Sequence, residues 1–255
     1  MGKVIAVCTS DRKGIQKKNV STAHFSAEWG IDGDAHAGKW HRQISLLSAD
    51  KIEAFNKRGA NVIPGAFGEN LVVEGFDFRA LPVGTLLRCN DVLLEMTQIG
   101  KECHSHCEIY KKMGECIMPR EGVFARVIEP GSISVGDEMS IEKREGHFPW
   151  QAAVITLSDK AAAGERKDES GPAIAKRLRE ASYEVVEEIV IPDDERVLKQ
   201  QLIRLCDQRQ LDLILTTGGT GCSARDITPE ATLAIADKNV PGIAEAMRAE
   251  SLKIT

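Results

Sequence analysis

The most constraining stretch of this sequence is Leu211–Thr232, where an apolar run ends in a cluster of glycines. The run Leu211–Leu215, followed by two β-branched threonines, is typical of a short buried strand. The chain then continues through the glycine-rich segment Gly218–Gly221. Glycine has no Cβ and can adopt a positive φ, so such a turn lets main-chain N–H groups approach a ligand and attract an anion such as phosphate.

The segment after the glycines predicts the start of a helix. Thr228 is expected to be its N-cap, with Pro229 in the first turn and Glu230 near the positive end of the helix dipole. Asp226 would place a carboxylate beside the anion site, and two facing anions normally require a cation between them. This arrangement indicates Mg²⁺ and a nucleotide. The alternative is a glycine-rich turn in which Asp226 is a solvated loop acid.

The same residues carry a family resemblance. The sequence TTGGTG followed by ARDITPEAT resembles the molybdopterin-binding family of molybdenum cofactor biosynthesis, whose best-known members are molybdopterin adenylyltransferases. The resemblance extends over Ala152–Thr255. It implies transfer of AMP from ATP onto the phosphate of molybdopterin, with ATP, Mg²⁺ and molybdopterin as ligands. It also implies a homo-oligomer, by resemblance a trimer.

The resemblance assigns roles to individual residues. Asp193 and Asp226 match the two acidic catalytic positions of the family and are expected to hold Mg²⁺. For Asp193 the alternative is a turn residue after Pro192. The glycines would bring N–H donors to a phosphate, because phosphoryl-type transfer is catalysed mainly by positioning and charge neutralisation. The expected substrate-binding residues are Ser158, Asp159, Thr217, Gly218, Gly219, Thr220, Gly221, Thr228 and Glu230.

The second half of the chain alternates strands and helices. Strands are expected at Ala152–Leu157, Glu184–Val190 and around Leu213, and helices at Gly171–Ala181, Val197–Arg209 and from Pro229. This order predicts a three-layer α/β domain with a mostly parallel sheet, covered on both faces, and a site at the carboxyl ends of its strands. Members of the family continue beyond the equivalent of Thr255. We therefore expect the C-terminal part of this domain to be missing, and one wall of the pocket with it.

The first half consists of short predicted strands separated by turns. They are expected at Val4–Cys8, Gln43–Leu47, Asn70–Val73, Leu86–Leu87, Val92–Thr97, Glu121–Ile128 and Glu138–Ile141, with one helix at Ala49–Lys57. Many short strands without long helices favour closure into a β-barrel, because closure removes exposed edges. The pattern changes at the charged run Glu142–Trp150. The sequence therefore predicts two domains, an N-terminal β-barrel over residues 1–145 and the α/β domain over residues 151–255.

Three motifs distinguish the first half: Gly33–Arg42, Gly65–Leu71 and Cys103–Cys107. Together they resemble a MOSC domain, the β-barrel module named for the C-terminal domain of molybdenum cofactor sulfurases. The resemblance implies that Cys103 or Cys107 carries persulfide sulfur or binds the molybdenum of the cofactor, and Cys103 follows the family pattern more closely. It also links the chain to pyridoxal phosphate-linked sulfur transfer.

A sulfur carrier needs an accessible thiolate, which nearby cations favour. Lys101, Arg120 and the histidines at positions 104 and 106 could supply such cations, and a thiolate suits a soft metal such as molybdenum. The alternative is a tetrahedral zinc site assembled from Cys103, Cys107, Cys116 and one histidine.

A second cluster of the first half is cationic. His36, His41 and Arg42 lie in a glycine-framed loop and are expected to hold an anionic phosphate or the pterin. The alternative is an ordinary solvated loop.

Composition bounds the remaining partners. The net charge of −5 gives no support for nonspecific binding to nucleic acid or to a membrane surface, both of which favour basic proteins. The apolar run at the N-terminus is too short for a secretory signal, and seven cysteines in such a chain favour reduced thiols. We therefore expect a cytoplasmic protein that binds a pterin and a nucleotide, with a molybdoenzyme or a sulfur donor as protein partner. The competing function is a noncatalytic carrier that binds molybdopterin and hands it on.

Overall fold

The computed structural model describes residues 1–103, 108–143 and 149–254. The chain divides into two compact units: residues 1–147 with 207–210 form the first, and residues 148–206 with 211–255 form the second. The domain limits 1–145 and 151–255 remain a prediction. Within the described residues, no helix is long and apolar enough to cross a membrane.

The first unit is rich in short strands, as predicted. Its strands are β1 (Gly2–Thr9), β2 (Lys18–Asn19), β3 (Thr22–Ser26), β4 (Gly30–Ile31), β5 (Ile44–Ser48), β6 (Leu71–Glu74), β7 (Leu86–Cys89), β8 (Val92–Ile99), β9 (Val123–Glu129), β10 (Gly131–Ser134) and β11 (Glu138–Glu142). Its helices are α1 (Ala49–Lys57), α2 (Glu108–Met113) and α3 (Met118–Glu121). The predicted helix at Ala49–Lys57 is confirmed residue for residue.

Seven of these strands close into a barrel. They follow the order β11-β7-β8-β9-β5-β6-β1, and β1 pairs with β11 to complete the ring, with Gly2 opposite Met139. The pairs β1–β6, β11–β7, β7–β8, β8–β9 and β5–β9 are antiparallel, whereas β5 and β6 run parallel. The barrel prediction is confirmed.

The barrel has an apolar interior because successive residues of a strand point to opposite faces. Val4, Leu46, Leu71, Leu94 and Val127 are fully buried in this core. A second apolar cluster includes α1, whose Ile52 and Phe55 are buried. The Phe55 ring meets the Phe67 ring edge to face, with 5.6 Å between centroids. The apolar face of α1 thus packs on the core, and its polar face is exposed to solvent.

Some elements of the first unit were not predicted. Strands β10, β3 and β4 form a separate three-stranded antiparallel sheet, and β2 pairs with the end of β1. The predicted strand Glu121–Ile128 is shorter at its start, because α3 occupies Met118–Glu121 and the strand begins at Val123.

The second unit is an α/β structure. Its strands are β12 (Gln151–Leu157), β13 (Glu184–Ile191) and β14 (Leu213–Thr217), and its helices are α4 (Asp159–Ala162), α5 (Ser170–Glu180), α6 (Glu195–Ile203), α7 (Thr228–Leu233) and α8 (Pro241–Ser251). The strands are parallel in the order β13-β12-β14. The helix predicted over Val197–Arg209 is wrong at its C-terminal end, because the α-helical pattern stops at Ile203 and the chain continues as a π-helical turn over Arg204–Gln208.

Apolar helix faces cover this sheet on both sides. Ala175 and Leu178 of α5 pack against Val154 of β12 in one cluster. Leu198 of α6 and Ala231 of α7 belong to a second cluster with the alternate residues of β12. These two cores give three layers, helix–sheet–helix, and the predicted fold class is confirmed.

The strand ends of this sheet are level with one another. Leu157 lies opposite Ile191, and Thr156 lies opposite Thr217. The loops that follow the three strands therefore leave the sheet at one edge, which is where a parallel α/β sheet places its ligand sites.

Candidate functional site

The loops after β12 and β13 are joined by a reciprocal pair of hydrogen bonds. The Asp159 amide donates to Asp193 Oδ2 at 3.1 Å, and the Asp193 amide donates to Asp159 Oδ1, also at 3.1 Å. Ser158 precedes Asp159 and is held by two contacts. Its amide donates to the Ile191 carbonyl at 2.9 Å. Its hydroxyl accepts from the Ala161 amide at 3.3 Å, which makes Ser158 the N-cap of α4. Each aspartate is therefore held by the main chain of the neighbouring strand end.

The glycine turn after β14 packs directly on the end of β12. Gly218 has φ +88°, and a Cβ placed there would overlap the Leu157 carbonyl oxygen. Gly219 has φ +60°, and a Cβ there would lie 2.6 Å from the Thr228 hydroxyl oxygen and 3.4 Å from Asp193 Oδ1. Both positions therefore require glycine, in agreement with the prediction of a bare main-chain turn.

Thr228 anchors this turn instead of capping the helix. Its hydroxyl donates to the Gly218 carbonyl at 2.8 Å, and its amide donates to the Gly219 carbonyl at 3.0 Å. The predicted N-cap is wrong by one residue, because Ile227 occupies the cap position of α7 and makes no side-chain cap. Thr228 is buried, whereas Thr220, Gly221 and Glu230 are exposed and Thr217 is half-buried.

Asp226 closes the segment that follows the glycines. Its Oδ2 accepts from the Ser223 amide at 2.8 Å, and a Cβ placed on Gly221 would lie 2.8 Å from the same oxygen. The two predicted metal-binding acids thus both lie against the glycine turn, Asp193 at Gly219 and Asp226 at Gly221.

Arg225 is a site residue that the sequence reasoning missed. Its guanidinium Nη2 lies 2.6 Å from Asp159 Oδ2 and 3.3 Å from the Asp193 carbonyl oxygen. Its position next to Asp226 in the ARDITPEAT motif was the available signal. The structure thereby connects the loops after β12, β13 and β14 through one side chain.

Asp168 is a further carboxylate next to the carboxyl end of β12. It accepts from the Thr156 hydroxyl at 2.8 Å and from the amides of Ser170 at 3.1 Å and Gly171 at 3.2 Å. Partial burial disfavours its charge, but these hydrogen bonds outweigh that effect and lower the pKa of Asp168. The carboxylate therefore joins the end of β12 to the first turn of α5.

The barrel unit contains a buried charged network beside the cationic loop. The Lys17 ammonium pairs with Asp34 Oδ2, which also accepts from Asn70 Nδ2 at 2.8 Å. All three residues are at least nine-tenths buried. Burial lowers the pKa of Lys17, although its bond to Asp34 opposes this. Burial also opposes ionisation of Asp34, but hydrogen bonds from His36 and Lys17 outweigh it and lower the pKa of Asp34.

This network fixes the start of the loop that carries His36. The His36 amide donates to Asp34 Oδ1 at 2.8 Å, and its ring Nδ1 lies 3.4 Å from the same oxygen. The Asn70 side chain also donates to the Cys8 carbonyl at 3.0 Å, which ties Asp34 to the end of β1.

His41 and Arg42 occupy the far end of the same loop. His41 Nε2 lies 2.9 Å from Gln98 Oε1. The Arg42 guanidinium lies over two aromatic rings, 4.8 Å from the Trp40 centroid and 5.6 Å from that of Phe124. Stacking of this kind holds the planar guanidinium in a fixed orientation.

The cysteines of the barrel unit differ in accessibility. Cys103 is exposed, whereas Cys107 and the histidines at 104 and 106 lie outside the described residues. Burial raises the pKa of Cys8 and Cys89 to about 12, so these thiols stay protonated. Within the described ranges, no group of three or more His, Cys, Asp or Glu is arranged to hold a metal ion. That finding leaves the zinc alternative untested, because two of its four ligands, Cys107 and the histidine, are not described.

Comparison with known proteins bears on both units. Residues 33–140 match the MOSC domain, and residues 153–255 match a family described as "Probable molybdopterin binding domain". The chain joins a MOSC domain to a domain of the molybdopterin-binding family. Both assignments agree with the resemblances found in the sequence.

Individual relatives extend over part of the chain. The molybdopterin adenylyltransferase of Haemophilus influenzae is 43% identical over 101 residues, which are 39% of this chain and 51% of that protein. The enzyme of the same name from Escherichia coli K12 is 42% identical over 102 residues, covering 39% and 52%. The chain thus spans about half the length of these curated relatives. The solved YUAD protein of Bacillus subtilis is 21% identical with a TM-score of 0.48, covering 57% of this chain and 98% of its own.

The first prediction concerns the glycine turn. Gly218→Ala should lower the free energy of unfolding by more than about 2 kcal/mol, because the new methyl group combines a positive φ with a steric overlap. The matched control is Gly242→Ala, since a Cβ there meets no atom within 4 Å and the residue lies in helix α8. Urea denaturation followed by circular dichroism measures both variants, and equal losses would contradict the steric argument.

The second prediction concerns the buried pair of the barrel. Lys17→Met should lower the free energy of unfolding by about 3–5 kcal/mol, because it leaves the Asp34 carboxylate buried without its cation. Lys18→Met is the control, since Lys18 is the next residue and is exposed. The double variant Lys17→Met with Asp34→Asn should recover part of the loss in the same denaturation experiment. A single variant as stable as the control would rule out the network as a structural requirement.

Proposed function

We propose that the chain acts in molybdenum cofactor biosynthesis and that its C-terminal unit transfers AMP from ATP to the phosphate of molybdopterin. The observation that carries this proposal is that Asp193 and Asp226 both lie against the glycine turn, at Gly219 and Gly221, at one edge of a parallel sheet. The C-terminal unit shares 42–43% sequence identity over 101–102 residues with proteins named molybdopterin adenylyltransferase, which supports the same reaction.

The acidic residues fit Mg²⁺. This ion prefers oxygen ligands and is usually held by one or two carboxylates, with water and substrate phosphates completing its shell. Asp193 and Asp226 would supply those carboxylates from either end of the glycine turn. Bound there, Mg²⁺ would neutralise phosphate charge during the transfer.

The proposed reaction is a nucleotidyl transfer. A phosphate oxygen of molybdopterin forms a bond to the α-phosphorus of ATP, the bond from that phosphorus to the β-phosphate bridging oxygen breaks, and pyrophosphate leaves. Thr220 and Gly221 are exposed, so main-chain amides of this turn would donate to a phosphate. The fixed strand ends hold the substrates in place, which is the main contribution a protein makes to this chemistry.

The third prediction tests the transfer. Asp226→Asn should reduce pyrophosphate release from molybdopterin and Mg·ATP by on the order of 100-fold or more, because it removes a carboxylate that neutralises developing charge. The control is Asp194→Asn, because Asp194 caps α6 by accepting from the Val197 amide at 3.0 Å and asparagine caps equally well. An Asp226→Asn variant with the wild-type rate would exclude the proposed role. Tight binding of molybdopterin without any pyrophosphate release would instead establish the noncatalytic carrier.

For the MOSC unit we propose that Cys103 carries sulfur or binds the molybdenum of the cofactor. The support is its exposed thiol at the end of a segment fixed by main-chain bonds, Gly100 N to the Gly122 carbonyl at 2.7 Å and Lys101 N to the Pro119 carbonyl at 3.2 Å. His36, His41 and Arg42 would hold the anionic part of the cofactor. The sulfur would come from a protein persulfide: the Cys103 thiolate attacks the outer sulfur, and the donor cysteine leaves as a thiolate.

The fourth prediction tests this thiol. Incubation with a persulfide donor, followed by alkylation and mass spectrometry, should place the persulfide on Cys103, because the other described cysteines of the barrel are buried or half-buried. Cys103→Ser should abolish the label, whereas Cys222→Ser, which removes an exposed thiol of the second unit, should retain it. The variant Cys107→Ser distinguishes the two family candidates. Stoichiometric zinc in a protein that accepts no persulfide would overturn the sulfur role.

A further inference from the structure

Arg225 forms a bridge across the strand ends of the second unit. Its side chain starts next to Asp226, reaches the Asp159 carboxylate at 2.6 Å and donates to the Asp193 carbonyl at 3.3 Å. The proposed nucleotidyl transfer assigns no role to Arg225. The guanidinium therefore lies where the two acidic loops meet.

The surroundings of Arg225 suggest that it balances negative charge. The other oxygen of Asp159 accepts from the Asp193 amide, and Asp193 Oδ2 accepts from the Asp159 amide, each at 3.1 Å. These bonds fix two carboxylates side by side, and such a pair is stabilised by a nearby cation. In the structure, Arg225 contacts the carboxylate of Asp159 and the main-chain carbonyl of Asp193.

The Arg225 contact is also open to exchange. Its side chain is 63% exposed and that of Asp159 is 45% exposed. An ion pair at this exposure contributes little to stability, because solvent screens it. A binding ligand can therefore displace the guanidinium without unfolding any part of the site.

We propose that Arg225 is the resident counter-cation of the acidic strand ends, which a divalent cation displaces and which then contacts the nucleotide phosphates. This inference rests on the proposed nucleotidyl transfer. Arg225 lies against the Asp159 carboxylate and the Asp193 carbonyl, so its positive charge opposes a metal ion held next to it by Asp193 and Asp226 and weakens binding of the metal alone. Guanidinium groups bind phosphate through two parallel hydrogen bonds, so the displaced Arg225 strengthens binding of the metal–nucleotide complex.

The two effects have opposite signs, which gives the fifth prediction. Arg225→Gln should bind Mn²⁺ alone about two- to five-fold more tightly than the wild-type chain, since it removes the competing cation. The same variant should bind Mg·ATP about ten-fold more weakly, since it loses a charge-assisted hydrogen bond to phosphate. Electron paramagnetic resonance measures the Mn²⁺ affinity, and calorimetry measures that of Mg·ATP.

Two further variants separate charge from geometry. Arg225→Lys keeps the charge but lacks the planar fork, so its Mn²⁺ affinity should stay near the wild-type value while its Mg·ATP affinity falls. Arg196→Gln makes the same charge change on an exposed residue in the first turn of α6 and should alter neither affinity. Added salt should shrink the Mn²⁺ difference between Arg225→Gln and wild type, because it screens exposed charges.

The outcomes are distinct. If Arg225→Gln weakens both affinities together, Arg225 only shapes the loop and the inference is wrong. It is equally wrong if neither affinity changes. If the wild-type chain binds no Mg·ATP, the proposed transfer fails, whereas the Mn²⁺ comparison still decides whether Arg225 competes with the metal.

Discussion

The close approach of Gly218 to the Leu157 carbonyl is the constraint on which the C-terminal site depends. Because neither Gly218 nor Gly219 can carry a side chain, the chain leaving β14 packs directly on the end of β12. That contact brings the segment up to Thr228 onto the edge where Asp159 and Asp193 exchange hydrogen bonds. The steric requirement at one residue thus determines how three loops meet. The acidic residues are held by main chain, so they are in place before any ligand arrives.

In the barrel unit, a buried ion pair instead of a glycine turn holds a loop in position. A lysine and an aspartate buried together are costly to desolvate, and a buried ion pair is often no more stable than apolar residues of the same size. The Lys17–Asp34 pair is retained in a position where it fixes the loop of His36, since Asp34 also accepts from the His36 amide and from Asn70. Its contribution is therefore better described as positional than as stabilising.

The sequence predicts those features that follow from local pattern or from sheet topology. Alternation of strands and helices predicts a parallel sheet, and such a sheet places Asp193 and the glycine turn at one edge. The structure has both features. Arg225 could not be assigned, because a long exposed side chain in a loop has many possible partners. The burial of Lys17 could not be predicted either, because Lys18 is adjacent in the sequence and only Lys17 of the two is buried. The cap at Thr228 was misplaced because the Gly218 carbonyl, distant in sequence, takes its hydroxyl.

Closure of the barrel has a consequence for synthesis on the ribosome. Strand β1 has β6 as one neighbour and β11 as the other, and its pairing with β11 joins residues 2 and 3 to residues 139 and 138. Until that last strand leaves the exit tunnel, the nascent chain carries a partly formed sheet with two unpaired edges, which are sites for association with other chains. The first strand made is among the last to be completed. A pause in translation shortly before β11 would therefore lengthen the time for which these two edges stay unpaired.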